Sequence, residues 1–335
     1  MNKREMVKMV LDKGILISPD MLGKLNEDTL KTILKDAEQP RNGIVMDEVP
    51  NQSQSSEDRA QPKKKQPSES TVSLKIRKHE QKTQLTPGDC AKFYNNKYDA
   101  LKGILLKKTD AVSINKAGSN QSTISVIGMV IEKTQRGFML EDPTGKAEII
   151  ASPEMIDSST IAEDDVVAVT GNMKEGIIYG KEIINPDVPL TNKPNELDAK
   201  ILFSERQIHD HQNSDVICTP EQILAKGMEP VRLGNPAWVD ILKYGKSLKL
   251  LIYRPDGDST LLDAVEMLKK RHMPIKRENV LGPNDSFLID PIPDIFWFVS
   301  KEKGFRSYKG VTVVSCGPNA VAAVDLVTRK VVFSG

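Results

Sequence analysis

Short alternating strands separated by turn signals occupy residues 121–186, and this pattern constrains the fold more than any other stretch. STISVIGMVIEK predicts one strand, with Gly128 in its interior, where a small barrel needs to bend. Two hairpins follow, one turned at 142–145 and one around 174–176. A short helical stretch at 153–162 separates the third strand from the fourth. Five strands with a helix in that position are typical of an OB-fold β-barrel, which we predict here.

The number of aromatic residues in the predicted barrel indicates whether it could bind single-stranded nucleic acid. Many OB-folds bind single-stranded nucleic acid by stacking bases on exposed aromatic rings. Phe138 and Tyr179 are the two candidates for such stacking. So few aromatic residues favour a structural barrel, and a barrel that binds single-stranded DNA is the alternative.

The first 85 residues divide into two parts. Residues 1–40 predict a small helical domain, because Ser18–Pro19 is a typical helix start and leucines recur at helical spacing after it. This part is either a docking element or a small bundle without a separate activity. Residues 41–85 have few apolar side chains and predict a disordered linker. The linker carries basic residues that are candidates for contacting DNA phosphates, with a solvated tether as the alternative; these are Lys63, Lys64, Lys65, Lys75, Arg77 and Lys78.

The remainder of the chain predicts a connecting helix and a final α/β domain. Residues 86–118 contain an apolar stripe at helical spacing. In 193–335, KSLKLLIY predicts a strand, DSTLLDAVEMLKKRH a helix, and several later segments further strands. This order predicts two sheets packed face to face, with an antiparallel C-terminal edge. With an OB-fold at 119–192, the whole chain is predicted to be a multi-domain α+β protein.

Composition excludes several classes of protein. Of the 335 residues, 39% are hydrophobic and 28% charged, as in soluble globular proteins, and the net charge of +1 gives no global basic field. The three cysteines are far apart in sequence and form no CxxC pair, so a zinc ribbon or a disulfide framework is not expected. No apolar run approaches the roughly 20 residues that cross a bilayer. We expect a cytoplasmic protein with no membrane partner.

Nine segments, taken in order, carry a family resemblance: SVIGMVIEK, LEDPTGKAEI, VVAVTG, INPDVPL, NPAWVDI, LLIY, EMLKKRHMPI, LIDPIPDIF and YKGVTVV. Together they resemble the small subunit of archaeal family-D DNA polymerase, which is similar in turn to the B-subunits of eukaryotic replicative polymerases. The resemblance implies that residues 193–335 are a calcineurin-like phosphoesterase domain of αββα type. In this chain the domain is shortened and degenerate.

In that family the phosphoesterase domain holds two manganese ions and has 3′–5′ exonuclease activity, which requires clustered Asp, His and Asn ligands. The motifs SDxHxGS, GDxxDG, GNHD, YHG and GHxH supply them. Here the first position has FSERQIHDHQ, the second and third motifs are absent, and Arg254 replaces the histidine of the fourth. No histidine follows Phe296. We therefore expect no catalytic residue and no cofactor on this chain, with His209, Asp210 and His211 as weak remnants of a metal site.

The resemblance implies a non-catalytic accessory subunit that holds the large catalytic subunit of the polymerase in a heterodimer. DNA synthesis and its Mg²⁺ would reside on that partner, DNA would be contacted through the nucleoid-associated complex, and a sliding clamp is a further partner to consider. Apolar anchors are expected at such an interface, and Trp238, Trp297 and Phe298 are the candidates. The alternatives are a residual Mn²⁺-dependent 3′–5′ exonuclease, a single-stranded-DNA-binding module, and a decayed paralogue.

Overall fold

The computed structural model describes residues 71–77, 86–118, 120–152, 161–208, 214–274 and 285–335, and the backbone of two short strands before them. The chain divides into two compact units, Met1–Lys65 and Gln66–Gly335. In the first unit, strand β1 (Leu16–Ile17) pairs in parallel with strand β2 (Val45–Met46). The helices predicted for residues 1–40 otherwise lie outside the described residues.

The second unit contains two described helices, α1 (Pro87–Leu105) and α2 (Leu261–Lys270). Each begins with a capping box, Thr86 with Asp89 and Thr260 with Asp263, which satisfies backbone N–H groups of the first turn. The strands of this unit are β3 (Ser73–Ile76), β4 (Asn120–Thr134), β5 (Gly137–Asp142), β6 (Gly145–Ala151), β7 (Val166–Lys174), β8 (Ile177–Ile184), β9 (Lys200–Ser204), β10 (Val216–Cys218), β11 (Gln222–Ala225), β12 (Val231–Arg232), β13 (Ala237–Lys243), β14 (Lys246–Tyr253), β15 (Ile295–Phe298), β16 (Gly304–Tyr308), β17 (Val311–Ser315), β18 (Val321–Asp325) and β19 (Val331–Ser334).

Strands β4 to β8 form a closed barrel in the order β4-β5-β6-β8-β7. The β6–β8 pair is parallel, and β4 pairs with both β5 and β7, which closes the barrel. This confirms the predicted five-stranded, OB-like barrel and both predicted hairpins. Most of the helix predicted at 153–162 lies outside the described residues. A Cβ on Gly128 would lie 3.0 Å from the Leu140 Cβ, so β5 can approach β4 there only because residue 128 is a glycine.

Helix α1 packs against the outside of this barrel. Its buried Tyr98, Leu101 and Leu105 contact Ile127 of β4 and Val166 of β7 in one apolar cluster. The apolar stripe predicted for residues 86–118 is therefore the face by which the helix docks on the barrel.

The C-terminal part is built on two six-stranded mixed sheets. Sheet I has the strand order β12-β11-β10-β9-β18-β19, and sheet II has the order β16-β17-β15-β14-β13-β3. Within sheet II the three strands β14, β15 and β17 run parallel, so their carboxyl ends meet at one edge. The antiparallel β18–β19 pair forms the C-terminal edge of sheet I, as the sequence predicts.

One apolar core lies between the two sheets, with Phe203 of sheet I and Trp297 of sheet II at its centre, 4.9 Å apart. Helix α2 covers the opposite face of sheet II through Leu261, Met267 and Leu268. The observed layers are therefore one helix and two sheets. No second outer helix occurs among the residues that the structure describes, so the αββα arrangement stays a prediction.

The predicted linker 41–85 is corrected at its C-terminal end. Residues 73–76 form strand β3, which pairs antiparallel with β13 at the edge of sheet II. Leu74 and Ile76 pack on the inter-sheet core, and these two side chains provide the apolar burial that the preceding polar stretch lacks. Residues 71, 72 and 77 are also described, and Val72 is buried in the inter-sheet core. The rest of the linker within the second unit lies outside the described residues.

Candidate functional site

The end of β15 is where the resemblance places the last metal ligands. The chain continues from β15 to Ser300, whose hydroxyl lies 3.1 Å from the hydroxyl of Ser315 at the end of β17. Ser315 also donates to the carbonyl of Ser300 at 3.1 Å, and both side chains are buried. The two strand ends are thus joined by neutral hydroxyl groups that already have partners. Such a pair does not supply the carboxylate and imidazole ligands that a dinuclear manganese site requires.

The residues after Ser300 have structural contacts of their own. The Glu302 carboxylate accepts a hydrogen bond from the backbone N–H of Leu261 at 2.7 Å, at the start of α2. A carboxylate is favourable there because the helix dipole is positive at the N-terminus. Lys301 forms an ion pair with Asp258 at 2.6 Å on the surface. The polar sequence that follows β15 therefore anchors α2.

The end of β14 is closed in a similar way. Arg254 donates its backbone N–H to the Asn235 side chain at 2.8 Å, and the Asn235 amide donates to the Arg254 carbonyl at 2.7 Å. The guanidinium lies at the surface, 4.0 Å from Glu221. A cationic side chain has no lone pair to offer a metal, so this position opposes metal binding.

At the end of β9, the hydroxyl of Ser204 accepts a hydrogen bond from the backbone N–H of Arg206 at 3.1 Å. Burial raises the pKa of Glu205 above its usual value. His209, Asp210 and His211 lie outside the described residues, so their role as remnant ligands stays a prediction. Across the residues that the structure does describe, no group of three or more His, Cys, Asp and Glu side chains could hold a metal ion. The described donor set does not fit a dinuclear centre.

Cys316 follows Ser315 and is the nearest candidate for a nucleophile. Its side chain is buried, and burial together with the nearby Glu205 raises the pKa of the thiol to about 11, although the Trp297 indole partly opposes this. Burial also raises the pKa of Cys218. Both thiols remain protonated at neutral pH, and a protonated thiol is neither a good nucleophile nor a metal ligand.

The segments that carry the family resemblance form hydrogen-bonded joints in the structure. In the first joint, the Asp187 carboxylate accepts from the Tyr308 hydroxyl at 2.9 Å and pairs with the Lys309 ammonium. The Asn192 amide donates to the Lys309 carbonyl at 2.9 Å. A Cβ on Gly310 would lie 2.8 Å from the Asn192 carbonyl oxygen, so this approach requires glycine. We call this set the Asp187 latch; it ties the segment after the barrel to the β16–β17 turn.

A second joint involves Asp294, which immediately precedes β15. Its carboxylate accepts from the Asn195 backbone N–H at 2.6 Å, the Asn195 side chain at 3.2 Å and the Lys249 backbone N–H at 2.7 Å. Asp294 thus ties the segment that leaves the barrel to strand β14.

The residues that follow α2 and the segment that precedes β15 form a third joint. Arg271 donates through Nε to the Ile289 carbonyl at 2.6 Å, and the Ile289 N–H returns a bond to the Arg271 carbonyl at 2.8 Å. The N–H of Met273 donates to the Phe287 carbonyl at 3.0 Å. The segments shared with the family are therefore the ones that hold the barrel, α2 and sheet II together.

His272 belongs to a buried polar cluster beside this joint. Its Nε2 lies 2.9 Å from the Asp285 carboxylate. The pKa of His272 is lowered by burial and by Lys97 of α1, which together outweigh Asp285 and Asp165. Lys270 forms an ion pair with Asp165 at 2.7 Å, so the cluster joins α1, the barrel and the end of α2. We infer a structural role for His272, because its ring is buried and already bonded.

The predicted DNA-binding residues are scattered. Phe138 is 2% exposed in the barrel core and is unavailable for stacking, whereas Tyr179 is 44% exposed. Lys75 is exposed on β3, but Arg77 is committed to Asp240 at 3.3 Å. Lys63, Lys64, Lys65 and Lys78 lie outside the described residues. The described part therefore leaves Tyr179 and Lys75 as accessible candidates and brings no basic, aromatic face together.

The predicted partner-interface residues are all in the core. Trp238 is 3% exposed, and Trp297 and Phe298 are 0% exposed. Trp297 lies between the two sheets, and Trp238 and Phe298 lie between sheet II and α2. These positions remove the three side chains as interface candidates. Their continuous apolar sequence signals burial, and that signal does not separate a core from an interface.

Comparison with known proteins was made against family profiles and curated sequences. No family profile matches the chain. It is 31% identical over 121 residues to the DNA polymerase II small subunit of Archaeoglobus fulgidus, which covers 34% of this chain and 25% of that protein. The protein of the same name from Methanothermobacter thermautotrophicus is 29% identical over 128 residues. The chain is a distant homologue of archaeal DNA polymerase II small subunits.

A third homologue, from Thermoplasma acidophilum, is 23% identical over 202 residues, which is 56% of this chain. The matches span 25% to 39% of the length of these three small subunits. The homology confirms the resemblance seen in the sequence. Neither described helix has the length and apolar character needed to cross a bilayer.

Proposed function

We propose that this small-subunit homologue is a non-catalytic accessory subunit of an archaeal family-D DNA polymerase, in which it holds the large catalytic subunit. The supporting observation is the contrast at the strand ends. Positions where the family resemblance places ligands carry Ser300 and Arg254, each bonded within the fold. The segments that carry the family resemblance form the hydrogen bonds that connect the barrel, α2 and sheet II. A protein that keeps the contacts between its structural elements but lacks the metal ligands is suited to act as a scaffold.

The C-terminal part corresponds, in this proposal, to a degenerate calcineurin-like phosphoesterase domain. Two face-to-face mixed sheets and parallel strands with aligned carboxyl ends are the framework on which such a metal centre would be built. The described residues offer no set of metal ligands for such a centre. Polymerisation, its Mg²⁺ and the main DNA contacts belong to the partner in this view.

The outer face of sheet I is the proposed docking surface for the large subunit. One side chain from each of five neighbouring strands forms an apolar row across this face, in the order Leu224, Ile217, Leu202, Ala323 and Val332. Val332 is 52% exposed, Leu224, Leu202 and Ala323 are half-buried, and Ile217 is buried. The helices of the described residues pack elsewhere, α1 on the barrel and α2 on sheet II. An apolar row of this kind suits the centre of a protein interface.

Co-expression with the large polymerase subunit of the same organism tests the proposal. We expect a complex of defined stoichiometry by size-exclusion chromatography with light scattering. Val332→Asp should weaken it at least about fivefold, as expected for a charge placed in an apolar interface. Val327→Asp, at a 41% exposed position of the β18–β19 turn, is the matched control. Normal binding by Val332→Asp would relocate the interface, and the absence of any complex would overturn the scaffold role.

A nuclease assay tests the non-catalytic part separately. The full chain is incubated with Mn²⁺ and a 5′-labelled single-stranded oligonucleotide. We expect no shortening of the oligonucleotide. Shortening that disappears in a His209→Ala, His211→Ala variant would show that the remnant residues form a working metal site, and would replace the non-catalytic assignment with a residual exonuclease. A chain that neither forms the complex nor cleaves DNA would fit a decayed paralogue.

A further inference from the structure

A cavity of about 310 Å³ lies where helix α1 meets the barrel. The helix contributes Tyr94, Asn95 and Tyr98 to its wall. The barrel contributes Met129 of β4 and, around the β5–β6 turn, Glu141 and Pro143. Ligand pockets in proteins begin near this size, roughly 300 Å³, so the cavity suits a single side chain better than a nucleotide.

Two tyrosine rings give the cavity its aromatic walls. The Tyr98 hydroxyl donates to the Ile127 carbonyl at 3.2 Å, which fixes the ring against β4. Tyr94 packs edge to face with Phe93, with the ring centres 5.4 Å apart. Lys102 already lies 5.3 Å from the centre of the Tyr98 ring, so the ring accepts a cation within the protein. Met129 and Pro143 add apolar surface for an alkyl chain.

The charged side chains that line the cavity are both carboxylates. Its lining includes the carboxylates of Glu141 and Asp142 and no cationic side chain. Hydrogen bonds from Thr144, Ile114 and Gly145 outweigh burial and lower the pKa of Asp142, so this carboxylate stays charged. Burial raises the pKa of Tyr98 to about 12, with Asp142 and Asp99 adding to the effect. The two carboxylates in the lining would disfavour a phosphate and favour a cation.

The two carboxylates differ in availability. Asp142 accepts from the backbone N–H groups of Ile114 at 2.9 Å, Thr144 at 2.7 Å and Gly145 at 3.0 Å, and from the Thr144 hydroxyl at 2.6 Å. Its oxygens are therefore already used. Glu141 has a looser ion pair, 3.7 Å from Lys146, and both side chains are about half exposed. Glu141 can exchange that partner for a ligand.

We propose that this cavity binds an arginine side chain of a partner polypeptide. A planar guanidinium can stack on a tyrosine ring and donate two parallel hydrogen bonds to Glu141, while an ammonium offers only a point charge. The Asn95 side chain offers a further acceptor at the cavity wall, and the arginine methylenes would cover Met129 and Pro143. The site involves α1 and the barrel only, so it does not depend on the proposed polymerase role.

The test uses the full chain labelled with ¹³C at the methionine methyl groups, with Met129 as the reporter in the cavity. The Met129 signal is assigned as the one lost in Met129→Leu. N-acetyl-arginine methylamide should shift this signal saturably, whereas N-acetyl-citrulline methylamide, which is neutral and nearly isosteric, should not. Glu141→Gln should weaken binding about fivefold, the upper range for an exposed ion pair. Tyr94→Leu should also weaken it, and Lys146→Gln, which removes the competing cation, should not.

Three outcomes would overturn the proposal. Equal shifts with the arginine and citrulline compounds would show an apolar cavity without charge selection. Tighter binding of spermidine than of the arginine compound would assign the site to a small polyamine. A Met129 shift on adding oligo(dT), or no shift with any probe, would remove the cavity as a cation site. Thermal melting of each variant shows whether the fold is intact, so a loss of binding is attributed to the cavity.

Discussion

Asp294 is a buried carboxylate, 5% exposed, that accepts three hydrogen bonds from Asn195 and Lys249. Asp294→Ala would leave these donors without an acceptor in a partly buried site. We expect a loss of about 3 kcal/mol in the free energy of unfolding, because each bond to a charged group contributes roughly 1.5–3 kcal/mol and the losses overlap. Urea denaturation followed by circular dichroism measures it.

Asp258→Ala is the matched control for this substitution. Asp258 is also an aspartate with a lysine partner, but the Lys301–Asp258 pair is about 80% exposed on both sides. We expect a change within about 0.5 kcal/mol. Similar losses in the two variants would contradict the view that Asp294 is a joint.

His272 predicts how stability depends on pH. The pKa of the folded ring is lowered from 6.5 by burial and by Lys97, despite Asp285 and Asp165. Below about pH 6.5 the unfolded chain binds a proton that the folded chain does not, so stability falls as pH drops. His272→Gln removes this contribution, and its urea midpoint should fall less between about pH 7.5 and 5.5.

The parent protein and the His272→Gln variant share the other three histidines, so the contribution of these three to the pH dependence is the same in both. Parallel pH profiles for the two proteins would show that His272 titrates normally in the folded state. A lower midpoint at every pH is expected for His272→Gln, because its ring is packed beside Asp285. The slope with pH is therefore the informative quantity.

Strand β3 provides a test at the level of one element. Leu74 and Ile76 face the inter-sheet core, while Lys75 between them is exposed. Leu74→Ala and Ile76→Ala should each lower the free energy of unfolding by about 1–2 kcal/mol, less than for fully buried residues because the strand is at an edge. Lys75→Ala should change it by less than about 0.5 kcal/mol. If all three variants melt like the parent protein, β3 is not part of the sheet in solution.

The strands that the sequence did not predict share a physical cause. Strand β16 has mostly exposed side chains, so it lacks the alternation that signals a strand. Strands β10 and β12 have three and two residues, too few for a period to be visible. Strand β3 follows a polar stretch and becomes a strand only because β13 offers it an edge. Each of these strands is defined by its neighbour in the sheet.

The Asp187 latch predicts how the parts of the second unit are held together. Asp187→Ala would remove the bonds to Tyr308 and Lys309. Hydrogen exchange of peptides from the 184–192 segment should become about tenfold faster, the equivalent of losing roughly 1.4 kcal/mol of local stability. Glu182→Ala, at an exposed position of β8, is the control and should exchange like the parent. Unchanged exchange in Asp187→Ala would mean that the latch contributes little.

The candidate site was predictable from the sequence to a limited degree. That an arginine, Arg254, stands where the resemblance implies a ligand histidine, and that no histidine follows Phe296, can be read from the sequence. The contacts that these positions make in the folded protein could not be predicted from the sequence. The Ser300–Ser315 pair and the Glu302–Leu261 bond join residues 15 and 41 positions apart, and only the sheet order brings them together.

At the scale of the second unit, the sequence by itself determined the barrel and the helices. Alternation, turn residues and capping boxes are local signals, and each acts within a few residues. The tertiary structure alone decided that Trp238, Trp297 and Phe298 are core residues, that β3 joins sheet II, and that Asp187 and Asp294 tie distant segments together. An apolar side chain is buried equally well by a core or by a partner, and a carboxylate accepts from any donor placed beside it, so only the arrangement of the elements selects among these outcomes.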